Sequence, residues 1–277
     1  MADTTGRDSS MFPLYDDNPT TRTPLITYAL IAINVLAFLW VQHLPPLPQQ
    51  VVMYQRGFVP ARIMQLREDA PIQIPIDVVV NQGFWGPQVQ RRMLELPPSP
   101  RELGLSLITC MFLHGGWLHL LGNMWFLWLF GNNVEDRLGP IPYLFLYLVG
   151  GLVASLSHWV VTPTSTVPVV GASGAIAAAL GAYAITWPWA RVKTLVVLII
   201  FVTIVDVPAL LVLGLWFVAQ VLAGQESLRD AASGGVAWWA HVGGFVAGMA
   251  LMPLLSMVVN PEPPPPDRRS ETTDWSE

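Results

Sequence analysis

Long runs of apolar residues constrain this chain most, because each run is long enough to cross a membrane. The hydrocarbon core of a bilayer is about 30 Å thick, which a helix of roughly 20 apolar residues can span. Only 12% of the residues are charged, whereas a soluble domain carries about a quarter. We therefore predict an all-α polytopic membrane protein with six transmembrane helices. The predicted spans are 25–44, 107–133, 142–161, 174–189, 208–224 and 236–259.

The segments outside these spans predict one membrane domain with two tails. Residues 1–23 are polar and predict a cytosolic tail, because no basic region leads into the short apolar core of a signal peptide. The membrane domain covers 24–259 and includes a long first loop, 45–103, whose short amphipathic pieces predict that it lies against the membrane. Residues 260–277 are rich in Pro and acidic, which predicts a disordered tail.

Two stretches depart from simple membrane crossing. The fourth span, 174–189, has 16 residues, and a helix of that length is only about 24 Å long. We expect it to begin below the membrane surface, fed by loop 162–172, and irregular backbone at that depth is tolerated only beside protein or water. Asp206 and Pro208 interrupt a later apolar stretch, so residues 192–206 are predicted to form an interfacial or re-entrant piece.

Charge in the short loops predicts the orientation. With six spans, both termini lie on the same side of the membrane. Arg137, Arg191 and Lys193 fall in short loops on that side, and cytoplasmic loops carry an excess of basic residues. We therefore predict cytoplasmic termini.

Ionisable and amide side chains inside the spans are the candidate functional residues, since such groups are costly in a membrane. His119 and Asn123 are four residues apart in the second span and share one helical face. His241 lies near the start of the last span, close to Gly244 and Gly248, whose spacing lets another helix approach closely.

The fourth span offers a matching smooth face. This face consists of small residues directly after Ser173, at Gly174, Ala178, Gly181 and Ala182. Close packing of the fourth and last spans would bring Ser173 within hydrogen-bond reach of His241. A serine beside a histidine is the nucleophile–base pair of a serine hydrolase.

Each feature taken singly has a simpler interpretation. A serine between glycines is typical of helix packing, and His119 with Asn123 is also typical of an interhelical hydrogen-bond pair. His114 and His119 are five residues apart and no His-Glu-x-x-His motif occurs, so we predict no metal and no cofactor. The formal net charge of −5 favours no nucleic-acid partner.

Taken together, the motifs resemble those of the rhomboid family of intramembrane serine proteases over about residues 25–259. The motifs are Gly171-Ala-Ser173-Gly174, His114-x4-His119-x3-Asn123, Glu135-Asp-Arg137 and Ala240-His241-x2-Gly244. The resemblance implies a six-helix rhomboid bundle in which Ser173 is the nucleophile and His241 the general base. It also implies an oxyanion and substrate-binding site formed by His119, Asn123, Gly171 and the backbone N–H of Ser173, with His114 in support.

The resemblance further implies an intramembrane serine endopeptidase whose partners are the lipid bilayer and transmembrane protein substrates. We expect a multi-pass protein of a bacterial inner or plasma membrane, and the sequence leaves the oligomeric state open. Two other classes of protein would have different sequence features. A catalytically inactive relative that binds membrane proteins would lack the serine or the histidine, and both are present. A small transporter would carry inverted repeats with paired broken helices, and only one span looks broken.

Overall fold

The computed structural model describes residues 10–81, 87–198, 201–229 and 235–259. Ten helices and five strands occur within this part of the chain. In order they are β1 (Ser10–Asp16), α1 (Leu25–Gln42), α2 (Pro46–Arg56), α3 (Ala61–Glu68), β2 (Ile72–Asn81), β3 (Pro87–Leu96), α4 (Pro100–Thr109), α5 (Trp117–Phe126), α6 (Asn132–Leu138), α7 (Pro140–Val161), α8 (Ser173–Thr186), β4 (Arg191–Leu198), β5 (Phe201–Pro208), α9 (Ala209–Arg229) and α10 (Trp238–Val258).

The helices form the predicted membrane bundle. Among the described residues, α1, α7, α9 and α10 are each long and apolar enough to cross a bilayer. The segments Pro100–Phe112 and Trp117–Leu138 add a fifth span if they count as one broken helix. α8 is apolar but only 14 residues long. The chain is therefore an integral membrane protein with a helical fold, and the count of six spans stays a prediction.

The second predicted span, 107–133, has the wrong boundaries. The chain breaks after Phe112, and the segments on either side of the break are bent by 79°. Gly115 and Gly116 lie in the break, and Gly116 is fully extended, with φ 176° and ψ 171°. Glycine is a poor helix former, so the helix begins afresh at Trp117. It then continues through one turn of π-helix at Leu127–Gly131 and ends at Leu138.

A three-stranded sheet replaces two of the predicted segments. β4 and β5 form an antiparallel hairpin, and β1 pairs with β4 at its other edge. Residues 192–198 and 201–206 thus lie in the two strands of a hairpin, because their many β-branched residues favour strands. The re-entrant alternative is wrong, and an interfacial position of this segment stays a prediction. Residues 10–16, within the predicted cytosolic N-terminal tail, belong to this sheet. The rest of the predicted N-terminal tail before residue 10, and the predicted disordered tail at 260–277, lie outside the described residues.

The long first loop folds into a small unit of its own. It contains α2, α3, the β2–β3 hairpin and the start of α4. A separate apolar cluster holds it together, consisting of Val59, Ile74, Ile76 and Leu96. The unit is joined to the loop before α8 by a β-bridge, in which Phe58 and Val169 exchange backbone hydrogen bonds of 3.0 and 2.7 Å.

Glycines bring α8 and α10 into backbone contact. A Cβ atom at Gly244 would overlap the carbonyl oxygen of Gly174, and one at Gly248 would overlap that of Ala178. The predicted packing of the fourth and last spans is therefore confirmed. Because position 174 meets 244 and position 178 meets 248, the two helices run parallel and begin at the same end of the bundle.

Glu135 ties the start of α1 to α6. Its carboxylate accepts hydrogen bonds from the backbone N–H groups of Ile26 and Thr27, at 2.8 and 2.7 Å, and from the Thr27 hydroxyl. The first N–H groups of a helix have no intrahelical partners and carry partial positive charge, so a buried carboxylate stabilises this end. The Glu135 of the sequence motif is thus structural, while Arg137 is exposed.

The C-terminal half of α8 and the N-terminal sheet meet at a second buried carboxylate. Asp16, 5% exposed, accepts hydrogen bonds of 2.7 Å from Asn133 Nδ2 and from the Tyr183 hydroxyl. Burial raises the pKa of Asp16 from 3.8 to about 6, although both hydrogen bonds act to lower it. This end of the bundle lies opposite the end at which α8 and α10 begin.

Asp16→Asn is expected to make stability less dependent on pH. The folded state binds the Asp16 proton more tightly than the unfolded state does. Proton binding at Asp16 therefore stabilises the fold below about pH 4, and this stabilisation is lost as the pH rises through about 6. A difference of about two pKa units corresponds to a cost on the order of 3 kcal/mol above pH 7. The amide oxygen of the variant can still accept both hydrogen bonds.

Thermal unfolding in detergent micelles checks this. The variant should unfold at a higher temperature than the wild type near pH 7.5, and the difference should vanish near about pH 4.5. Asp69→Asn is the control, because Asp69 is an exposed carboxylate at the end of α3. An equal pH dependence in Asp16→Asn and the wild type would contradict the prediction.

Candidate active site

Ser173 is the first residue of α8 and is placed there by an unusual backbone turn. Gly171, two residues earlier, has φ +124°, a conformation that side-chain-bearing residues rarely adopt. Its N–H donates to the carbonyl oxygen of Cys110 at 2.9 Å, which holds the turn against the break before α5. As the first residue of a helix, Ser173 has no intrahelical partner for its N–H.

His241 lies in the first turn of α10, beside Ser173. The Ser173 Oγ and the His241 Nε2 are 2.8 Å apart. The parallel contact between α8 and α10 is what brings the two first turns together. The predicted proximity of this serine and this histidine is confirmed.

The second nitrogen of the same ring has a partner that the sequence did not reveal. His241 Nδ1 lies 2.7 Å from Gln220 Oε1 on α9. An amide oxygen only accepts, so Nδ1 carries the proton and its N–H donates a hydrogen bond to Gln220 Oε1. In the neutral ring, Nε2 then has a free lone pair, and the Ser173 hydroxyl donates to it.

His119 and Asn123 lie on α5 and face the turn before Ser173. A Cβ atom at Gly171 would be 2.6 Å from His119 Nε2 and 3.5 Å from Asn123 Nδ2. Both side chains therefore pack directly against the backbone at Gly171. The shared face predicted from their spacing is confirmed.

His114 lies behind these residues, in the break before α5. It is 1% exposed, and its Nε2 accepts a hydrogen bond of 2.9 Å from Asn123 Nδ2. Its ring packs edge-on against His119, with 5.0 Å between the ring centroids. His114 thus fixes the amide of Asn123 without lining the cavity itself.

A cavity of about 500 Å³ opens between these side chains. Ser173, His241, His119 and Asn123 all line it. Most of the remaining wall is apolar, with Met111, Val170 and Val236 among its residues. The arrangement places a hydroxyl, a base and hydrogen-bond donors around one space enclosed by apolar helices.

Comparison with known proteins gives a family. The defining pattern of the Rhomboid domain matches residues 102–258, which is more than half of the chain. The protein therefore belongs to the rhomboid family, as the motifs predicted.

Several curated relatives are similar over part of their length. Rhomboid-like protein 11, chloroplastic, from Arabidopsis thaliana is 33% identical over 163 residues, which are 54% of this chain and 51% of that protein. Putative rhomboid protease YdcA from Bacillus subtilis is 39% identical over 77 residues, covering 28% of this chain and 38% of that protein. Rhomboid protease GluP from the same organism is 41% identical over 76 residues, covering 27% and 14%. The chain spans about half the length of the Arabidopsis relative.

Gly171→Ala is expected to disrupt the site while leaving the bundle folded. The backbone conformation would be strained, and the new methyl group would displace the His119 ring. A penalty of about 1.4 kcal/mol already lowers a rate tenfold, so labelling of Ser173 by a serine-reactive fluorophosphonate should slow by roughly tenfold or more. Gly104→Ala is the matched control, because nothing lies within 4 Å of a Cβ atom at Gly104. Equal labelling rates in the two variants would refute this prediction.

Proposed function

We propose that this rhomboid protein is an intramembrane serine endopeptidase. It would hydrolyse peptide bonds in or near the transmembrane helices of membrane-protein substrates. The single observation that carries the proposal is the hydrogen bond between Ser173 Oγ and His241 Nε2 at a cavity inside the helix bundle. The two Bacillus relatives that are named rhomboid proteases support it.

Ser173 and His241 form a catalytic dyad. His241 Nε2 takes the hydroxyl proton as Ser173 Oγ attacks the scissile carbonyl carbon. The proton then passes from Nε2 to the leaving amine, and an acyl-enzyme ester remains on Ser173. A water molecule deprotonated by the same nitrogen attacks the ester and releases the second product.

The oxyanion of the tetrahedral intermediate is stabilised by donors on one side of the cavity. These donors are the N–H of Ser173, the His119 ring and the Asn123 amide. Donors fixed in advance lower the barrier most where water and other dipoles do not have to reorganise. The hydrogen bond from Asn123 to His114 holds the amide in place before any substrate arrives.

The substrate is a transmembrane segment that reaches the cavity in an extended form. A helical peptide bond is shielded by its own backbone hydrogen bonds, so the segment unwinds locally before attack. α8 is about 21 Å long, shorter than the ~30 Å hydrocarbon core, which places Ser173 below one membrane surface if the other end of α8 reaches the opposite surface. Water enters through the cavity from that nearer surface.

The proposal includes the remaining topology. The protein crosses a bacterial inner or plasma membrane six times, with the termini on the cytoplasmic side. The strand β1 lies beside the end of α8 that is remote from Ser173, which favours an active site that opens on the side opposite to the termini.

Removing either member of the dyad tests the proposal. Ser173→Ala and His241→Ala should each abolish fluorophosphonate labelling and cleavage of a transmembrane reporter substrate in liposomes. The matched controls are Ser227→Ala and His43→Ala, which change a serine and a histidine at the ends of α9 and α1. Persistent cleavage by Ser173→Ala would contradict the role of Ser173 as the nucleophile. A folded wild-type chain that neither labels nor cleaves would favour the inactive relative that binds membrane proteins.

Asn123→Ala tests the oxyanion site separately. Loss of one such donor costs about 10² to 10³ in kcat in serine hydrolases, and a fall within that range is expected here. KM should change little, because the donor acts on charge that develops only in the transition state. Steady-state cleavage and thermal unfolding would be measured together. Unchanged kcat in a folded variant would mean that the oxyanion is bound elsewhere.

A further inference from the structure

Gln220 is a buried amide in the apolar part of α9. It is 7% exposed and lies in α9, where residues 209–224 contain no other amide or charged side chain. Burying an amide without hydrogen bonds costs several kcal/mol by general transfer arguments, so its position requires a partner. That partner is His241, at 2.7 Å.

The contact decides which nitrogen of His241 can act as a base. A neutral imidazole carries one proton, which occupies either Nδ1 or Nε2. The Gln220 carbonyl oxygen accepts from Nδ1 and so holds the proton there. The free lone pair on Nε2 consequently faces the Ser173 hydroxyl, 2.8 Å away.

The same helix also restrains the plane of the ring. Trp216 lies one turn before Gln220 on α9, and its ring centroid is 6.0 Å from that of His241, with 34° between the planes. Trp238 approaches the ring edge-on from α10, at 6.1 Å and 90°. Residues 216 and 220 are on one face of α9, so a single helix face supplies both the hydrogen bond and a tilted ring contact.

We propose that Gln220 is a positioning residue for the hydrolytic reaction. It acts through His241 as a neutral third residue beside the Ser173–His241 dyad. The inference rests on the proposed function and deepens it. In serine hydrolases with three-residue sites, an aspartate holds the histidine in the correct tautomer and stabilises the imidazolium. Gln220 performs the first task with an oxygen that carries no full charge. A neutral acceptor avoids the cost of burying a second ion in an apolar bundle.

The experiment compares side chains of similar length with and without the acceptor oxygen. Gln220→Met removes the oxygen and retains the bulk, Gln220→Glu retains an oxygen, and Gln220→Asn shortens the amide by one methylene. Gln225→Met is the matched control, since Gln225 is an exposed amide on the same helix. Each variant would be reconstituted in liposomes with the transmembrane reporter substrate. The kcat, the KM, the fluorophosphonate labelling rate and the unfolding temperature would be measured.

We expect Gln220→Met and Gln220→Asn to lose about 100-fold in kcat and in labelling rate, because the ring spends most of its time in unproductive tautomers and orientations. The KM should stay within about twofold of the wild type, since Gln220 does not touch the substrate. Gln220→Glu should retain most of the activity, and Gln225→Met should match the wild type.

Two results would overturn the inference while leaving the proposed function intact. The first is a Gln220→Met variant that labels and cleaves at the wild-type rate. The second is equal loss of activity in Gln220→Met and Gln220→Glu together with equal loss of thermal stability, which would make Gln220 a packing residue only. A folded wild-type chain without labelling or cleavage would overturn the proposed function itself, and this inference with it.

Discussion

The backbone contact between α8 and α10 is the interaction on which the rest of the site depends. Glycines at 181, 244 and 248 let the two helices approach until the main chain of one touches the main chain of the other. That separation sets the distance between Ser173 and His241, because both residues lie in the first turns of these helices. A serine and a histidine on separate helices thus lie within hydrogen-bond distance because no side chains separate the two backbones.

The helical fold and the placement of Ser173 beside His241 could be predicted from the sequence, because a single residue pattern indicated each of them. Apolar runs predicted a helical membrane bundle, and small residues at helical spacing predicted the α8–α10 contact. His119 and Asn123 were predicted to share a face from their spacing of four, and they do. The short, glycine-preceded fourth span was expected to carry the site, and Ser173 begins it.

Other features could not be predicted, because hydropathy alone does not distinguish an apolar strand from an apolar helix and does not show how helices pack. The β4–β5 hairpin is as apolar as a membrane helix, and its strand partner, β1, lies about 180 residues earlier in the chain. The break before α5 depends on two glycines that are also common inside membrane helices. The sequence shows Gln220 only as one polar residue in a membrane span, since its contact with His241 depends on how α9 packs against α10. A lone amide in an apolar run was the available signal.

The buried carboxylate at Glu135 has a consequence for the order in which the chain can assemble. The N–H groups that it binds at the start of α1 are 109 and 108 residues earlier in the sequence. Synthesis proceeds from the N-terminus, so α1 is made long before its cap. During that interval the end of α1 must be satisfied by water or lipid headgroups. The first helix of the bundle therefore reaches its final state only after the middle of the chain has entered the membrane.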